Sequence, residues 1–338
     1  MTDTIRPARP DDLESLYEMA KLTGGGFTNL PPDRDALRER LAKSEASLNA
    51  PPGSAPGDDL FVMILEDTKT GTVRGSCQIF SEIGIGSPFY SYRLSALTQH
   101  SRELNRTFAN TMLQLTTDLE GSSEVGGLFL HPGARAGGLG LLLARSRYLF
   151  IAMHRDRFGD RLLAELRGIV DAQGNSPFWD GVAGRFFGMG FREADEFNAL
   201  NGNQFIADLM PRHPIYVAMI APEARDAIGV PHESGRPAMR MLMQEGFAFD
   251  NYIDIFDGGP TMIARTDDVK TIANARKAEV VAIDCDKGER ALLASGQLTE
   301  FRSCGGIRAL SDDGVAIDAD SAAALGVGVG DTVWSVAR

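Results

Sequence analysis

The residues best placed to do chemistry lie between 124 and 148, which read EVGGLFLHPGARAGGLGLLLARSRY. Within them Arg135, Gly138 and Gly140 form the spacing R-x-x-G-x-G. The string falls between an expected buried strand, Glu124 to Leu130, and an expected helix from about Gly138 to His154. Successive N–H groups at a helix start point outward without intrahelical partners, and the helix dipole adds positive potential there. Glycines let a diphosphate come against that backbone with no Cβ in the way. Arg135 can add charge-assisted hydrogen bonds. Taken alone, the string is explained as well by a tight strand-to-helix turn.

Five histidines could move protons: His100, His131, His154, His213 and His232. An imidazole with an unperturbed pKa near ~6.5 exchanges protons in both directions near neutral pH. His131 lies on the strand that leads to the Gly-rich loop, although His131-Pro132 is also well placed simply to end that strand. His232 sits in a loop bounded by Gly229, Pro231 and Gly235, a setting in which catalytic side chains are common. Each of the five could instead be a packing or surface residue.

The elements that must position these groups follow from periodicity. Ile5 to Ala8 reads as a first strand, and Leu13, Leu16, Tyr17 and Ala20 as a helix face capped by Asp11 or Asp12 and ended by Gly24 to Gly26. A charged helix is expected from Asp33 to Leu48. Leu60 to Leu65 and Val73 to Phe80 form an expected β-hairpin, followed by an extended stretch from Tyr90 to Leu97. Leu162 to Val170 and Tyr252 to Phe256 read as strands. Two helix patterns, Phe178 to Phe191 and Pro237 to Phe247, each end in Gly-Phe and hint at a duplicated αβ unit. Arg145 and Arg147 are expected on the solvent face of their helix, from which one of them could reach a phosphate. From Glu279 onward short β-like runs alternate with Gly and Asp turns, which predicts a small all-β tail resembling a barrel. The predicted class is thus α/β (α+β), a mixed sheet flanked by helices. Residues 1–278 form the main region, with a possible break between tandem units near 192–210, and 279–338 form the appendage.

The chain has 338 residues, 43% of them hydrophobic and 24% charged, with a net charge of −12. That acidity argues against a general nucleic-acid or membrane-surface binder, which would present a basic face. Three scattered cysteines (Cys77, Cys285 and Cys304) make neither a disulfide framework nor a Cys-rich metal site. No metal site is expected. A polar first segment and the lack of a long apolar run make a cytoplasmic location the default.

The order of hairpin, strand ending in Leu-His-Pro, Gly-rich loop and apolar helix resembles the GNAT superfamily of N-acyltransferases, whose acyl-CoA loop has this pattern. The strings KLTGGGFTNLP (21–31), GSSEVGGLFLHP (121–132), ELRGIVDAQGNSPFWDGVAGRFFGMGF (165–191), LMPRHPIY (209–216) and NYIDIFDGGP (251–260) extend the likeness. Together they are similar to the arginine N-succinyltransferase family, with a departure between 192 and 204. The resemblance implies transfer of a succinyl group from succinyl-CoA to the α-amine of L-arginine, in arginine catabolism. Succinyl-CoA would then be a cosubstrate, with no permanently bound cofactor. It further implies that Leu128 offers its backbone to succinyl-CoA and that His232, in GVPHES, is the proton donor. A guanidinium substrate calls for carboxylates, for which Asp254 and Asp257 are candidates, and a succinyl carboxylate calls for a cation, for which Arg167 is one. Ordinary strand and turn roles account for these three equally well. Ornithine or another small amine remains open as acceptor. So does a non-catalytic CoA-binding subunit, and the resemblance implies a homo-oligomer or a pairing with a related chain.

Overall fold

The computed structural model describes residues 3–23, 29–51, 53–135, 137–171, 173–202, 204–211 and 213–338, except for the side chains of 196, 199–201 and 207. The glycine run Gly24 to Gly26 expected to end the first helix lies outside the described residues. The class is mixed α/β. Backbone contacts divide the chain into two interleaved units, one of Met1–Glu82, Ser123–Leu162 and Arg265–Arg338, the other of Ile83–Ser122 and Leu163–Ala264. Residues 192–210, where the sequence suggested a break, lie inside the second unit.

The first unit is built on antiparallel neighbours in the order Asp3–Pro7, Leu60–Asp67, Val73–Phe80 and Ser123–Leu130. The run LFVMILED is buried at all but one position, as a strand covered on both faces must be. One face packs on helices Leu13–Lys21 and Arg34–Leu48, through Leu16, Met19, Leu37 and Leu41 against Leu60, Val62, Ile64 and Phe129. Asp33 caps the second of these helices, its carboxylate accepting the Ala36 N–H at 2.8 Å. The helix Leu139–Met153 is apolar nearly all round and buried at every position from Leu143 to Ile151, which is what an interior helix requires. Its Phe150 ring lies 5.0 Å from that of Phe61. This burial corrects the expectation for Arg145 and Arg147, which are 9% and 3% exposed. Arg145 donates to Thr271 Oγ1 (2.8 Å) and to the Ala337 carbonyl (3.0 Å), whereas Arg147 donates to the Ala144 carbonyl at 3.1 Å. Backbone and hydroxyl acceptors compensate the guanidinium groups that helix packing has covered.

The tail closes on itself. Glu289–Ser295 pairs with Thr332–Ala337, then Arg276–Ala282, Gly314–Ile317, Arg302–Ser311 and back to Glu289–Ser295, a five-stranded ring around Val280, Leu293, Cys304, Val315 and Val333. Closure removes the unpaired edges. The tail is not all β, because helix Ala319–Leu325, capped by Asp318, packs Ala322 and Leu325 onto the same core. Nor does the ring stand apart: Thr4 and Ile5 pair with Cys304 and Ser303.

In the second unit, Ser91–Ser101 and Arg106–Thr116 form a two-stranded ribbon in unbroken register. Ala248–Ile253 pairs with the first of these and with Pro260–Arg265. The core gathers Tyr92, Phe178, Trp179, Ile253 and Ile255, with Trp179 stacked on Phe256 at 5.6 Å. The hint of duplication fails here. Gly246 (φ +105) does stop helix Arg236–Glu245 before a strand, but Phe191 opens a helix, Phe191–Asn201, instead of a strand. The preceding helical stretch is broken into Pro177–Gly181 and Gly184–Phe187.

Candidate active site

The strand leading to the Gly-rich loop carries an irregularity that the sequence reading missed. Ile79 and Gln78 oppose Val125 and Gly126, but Ser76 opposes Phe129. Cys77 therefore faces two residues, Gly127 and Leu128. Gly127 has φ +57°, and a Cβ there would stand 2.9 Å from Gln78 Cγ. This is a β-bulge, which takes backbone groups out of the ladder and bends the strand. The Gly126-Gly127 pair inside an apolar strand was its sequence signal. Leu128, half-buried, sits at this irregularity.

After the strand, the His131 Nδ1 accepts the Gly133 N–H at 3.1 Å, and Arg135 Nε donates to the Leu130 carbonyl at 3.2 Å. The chain then turns through Gly137 (φ +68°) and Gly138 (φ +79°) into the helix at Leu139. Left-handed backbone at both positions is the reason for glycine there. Gly140 lies in the first helical turn, whose N–H groups lack intrahelical acceptors. A cavity of about 1210 Å³ opens at this point, lined by Gly137, Gly138, Leu141, Leu142, Arg74 and Arg145 among others. Of the four residues the sequence assigned to cosubstrate, Gly138 lines it, and Leu128, Arg135 and Gly140 belong to the same strand–loop–helix segment.

Glu124 was not foreseen as a functional candidate. It is 8% exposed, on the strand two residues before Gly126, and burial pushes its carboxyl up to about 7, opposed by the Arg40 guanidinium. Arg40 Nη1 donates to Gln78 Oε1 at 3.3 Å, and the Gln78 amide donates to the Asn29 carbonyl. The only signal in the sequence was an acid inside an otherwise apolar strand.

The second unit holds the other candidates. His232 begins a short turn, with Nδ1 2.8 Å from Ser234 Oγ and 3.2 Å from the Ser234 N–H. A neutral ring accepting that N–H at Nδ1 carries its proton on Nε2, a tautomer inferred from the hydrogen bonds. The His232 N–H donates to the Arg167 carbonyl at 2.8 Å, so these two candidates are neighbours. Arg167 Nε is buried without a hydrogen-bond partner among the described residues.

Asp254 and Asp257 are engaged by backbone. Asp254 Oδ1 accepts the N–H groups of Phe256 (2.7 Å) and Asp257 (2.8 Å). Asp257 accepts those of Gly259 (2.9 Å) and Gly168 (2.8 Å). Strand Ala248–Ile253 ends before Asp254, which is a turn residue and not the strand residue expected. Burial and the adjacent Asp254 hold Asp257 well above the ordinary carboxylate range. This turn is tied by hydrogen bonds to both neighbouring segments. Asp257 fixes Gly168 beside Arg167, and the Gly258 carbonyl accepts the Gly229 N–H at 2.8 Å, fixing the start of the His232 loop.

Among the described residues there is no group of three or more His, Cys, Asp or Glu able to hold a metal, and no helix long and apolar enough to cross a membrane. All three cysteines are buried and unpaired with one another.

The family model described as arginine N-succinyltransferase beta subunit matches residues 3–271, and the model of its C-terminal domain matches 276–337. The chain is similar to the arginine N-succinyltransferase of Escherichia fergusonii, with 42% identity over 301 residues, 88% of this chain and 87% of that protein. The same figures hold for the arginine N-succinyltransferase of Escherichia coli O139:H28. Among solved structures, that of arginine/ornithine succinyltransferase subunit AI from Pseudomonas aeruginosa superposes with a TM-score of 0.90, at 34% identity, covering 99% of this chain and 98% of that one. The chain belongs to the arginine N-succinyltransferase family.

Proposed function

We propose that this chain transfers the succinyl group of succinyl-CoA to the α-amine of L-arginine. The observation that carries the reading is the bulged strand at Gly127-Leu128, which leads through the short turn Pro132–Ala134 to the left-handed Gly137-Gly138 turn into a helix N-terminus beside a large cavity. The relatives' name supplies the arginine and the succinyl group. In this reading the helix start holds the diphosphate, and Arg135 adds charge nearby. The Leu128 N–H stabilises the thioester oxyanion, a contribution of roughly 3 kcal/mol at comparable sites.

The amine nitrogen attacks the thioester carbon, the C–N bond forms, the C–S bond breaks, and CoA leaves as the thiol. One proton passes from nitrogen to sulfur. His232 mediates it through Nε2, the ring nitrogen not engaged by Ser234. Arg167 meets the succinyl carboxylate, a role favoured by its buried Nε without a partner. Asp254 and Asp257 are left out of guanidinium binding because backbone N–H groups already engage Oδ1 of Asp254 and both oxygens of Asp257.

The test is thiol release from succinyl-CoA and acetyl-CoA with arginine, ornithine and lysine offered in turn. Release with succinyl-CoA and arginine in preference to the other pairs is the expected result. Preference for ornithine moves the acceptor assignment, and release without amine preference removes it. CoA binding with no turnover would favour a non-catalytic subunit, a reading the "beta subunit" of the family description and the "subunit AI" of the Pseudomonas structure keep in view.

A further inference from the structure

The cavity at the head of helix Leu139–Met153 receives a side chain from the barrel. Arg338 follows strand Thr332–Ala337, and its backbone N–H donates to the Arg290 carbonyl at 2.9 Å. From that anchor the guanidinium crosses to the Gly-rich turn. Its Nη2 lies 3.4 Å from the Gly137 carbonyl and 3.3 Å from that of Gly138. The approach is so close that a Cβ on Gly138 would stand 1.8 Å from Nη2. Arg338 is exposed and lines the cavity together with both glycines.

The surroundings leave its charge to be used. Three carboxylates of the described residues share the cavity wall, and each is paired with a cation other than Arg338. Asp3 pairs with Arg74 at 2.8 Å, Glu18 with Lys21 at 2.7 Å and Glu14 with Arg34 at 2.8 Å. Among the described residues no carboxylate pairs with Arg338, whose acceptors are neutral carbonyls at long range. Exchanging bonds this long for phosphate oxygens loses little, since a guanidinium and an anionic oxygen form shorter and stronger bonds. The fork of an arginine also matches two phosphate oxygens at once. The backbone that presents it is held to the helix, because Arg145 Nη2 donates to the carbonyl of the preceding Ala337.

We propose that Arg338 is a phosphate-binding residue of the acyl-CoA site, its guanidinium exchanging the Gly137 and Gly138 carbonyls for diphosphate oxygens of the cosubstrate. The proposal rests on the acyl-CoA reading given above and extends it: the barrel becomes part of the cosubstrate site.

The experiment uses the full chain with Arg338→Ala and Arg338→Lys. Calorimetry measures binding of CoA, of dephospho-CoA (which keeps the diphosphate) and of pantetheine (which lacks it), and steady-state assays measure KM and kcat for succinyl-CoA. The alanine variant should bind CoA and dephospho-CoA about 10- to 30-fold more weakly. It should leave pantetheine binding, kcat and the ligand-free melting temperature unchanged, and the lysine variant should recover part of the loss. Unchanged CoA affinity in the alanine variant overturns the proposal. So does an equal loss for pantetheine, which marks a structural role, or a loss confined to CoA, which moves the contact to the 3′-phosphate. Should the alanine variant fail to fold, an unaltered ratio of CoA to pantetheine affinity in the lysine variant overturns it equally. Wild-type protein that binds no CoA at all overturns the acyl-CoA reading itself.

Discussion

Glu124 is a carboxyl set among covered groups, its charge opposed by burial and favoured by the Arg40 guanidinium. Its pKa near 7 in the fold, against the ordinary 4.5, means that the folded state holds the proton more tightly than the unfolded chain does. The associated stability is fully present below about pH 4.5 and is lost as pH rises through 7. Glu124→Gln lacks this titration. Relative to wild type it should therefore gain stability between pH 5 and pH 8, by up to about 3 kcal/mol. Urea unfolding at intervals across that range checks it, and a pH-independent difference between the two proteins would refute the assignment. His232 offers a second prediction at this scale. Its replacement by Ala should lower kcat by roughly 10²- to 10⁴-fold while CoA affinity, measured by calorimetry, stays close to wild type. An active His232→Ala protein removes the proton-transfer role.

At the scale of elements, the strand–loop–helix segment works because three glycines hold conformations other residues avoid. Gly127→Ala would meet both an unfavourable φ of +57° and the Gln78 side chain at 2.9 Å. The bulge should straighten or shift, raising the KM for succinyl-CoA several-fold, with a stability loss of about 1 kcal/mol or more. Steady-state kinetics beside thermal melting separates the two effects, and a normal KM would detach the bulge from thioester binding. The bounds of helices Arg34–Leu48 and Leu139–Met153 and the hairpin were legible, since apolar spacing and turn residues act within a few positions in the chain. The bulge was not, because register depends on what the partner strand presents. Ribbon strand Arg106–Thr116 was missed for a related reason: most of it is exposed, so no alternation of apolar and polar residues marked it.

For the whole molecule, the barrel and the first unit's sheet share hydrogen bonds at Thr4 and Ile5, and Arg145 and Arg338 reach from barrel to helix head or back. Removing 276–338 would leave strand Asp3–Pro7 with an unpaired edge and Arg145 without its Ala337 acceptor. The truncated chain should be poorly soluble or should melt well below the full protein, and a truncated protein with the full melting temperature would contradict this. The sequence by itself determined the mixed α/β class, the Gly-rich turn into an apolar helix, the β tail and the family, since these rest on local periodicity, turn chemistry and ordered strings. Tertiary structure alone decided what surrounds Arg145, Arg147, Glu124, Asp254 and Asp257. Whether a charged side chain is covered, and which distant carbonyl or N–H meets it, depends on neighbours brought together only by packing. The Arg135 to Gly140 segment shows both: its glycines announced a tight turn into a helix, while its contact with Arg338 exists only because a barrel 200 residues away in the chain closes beside it.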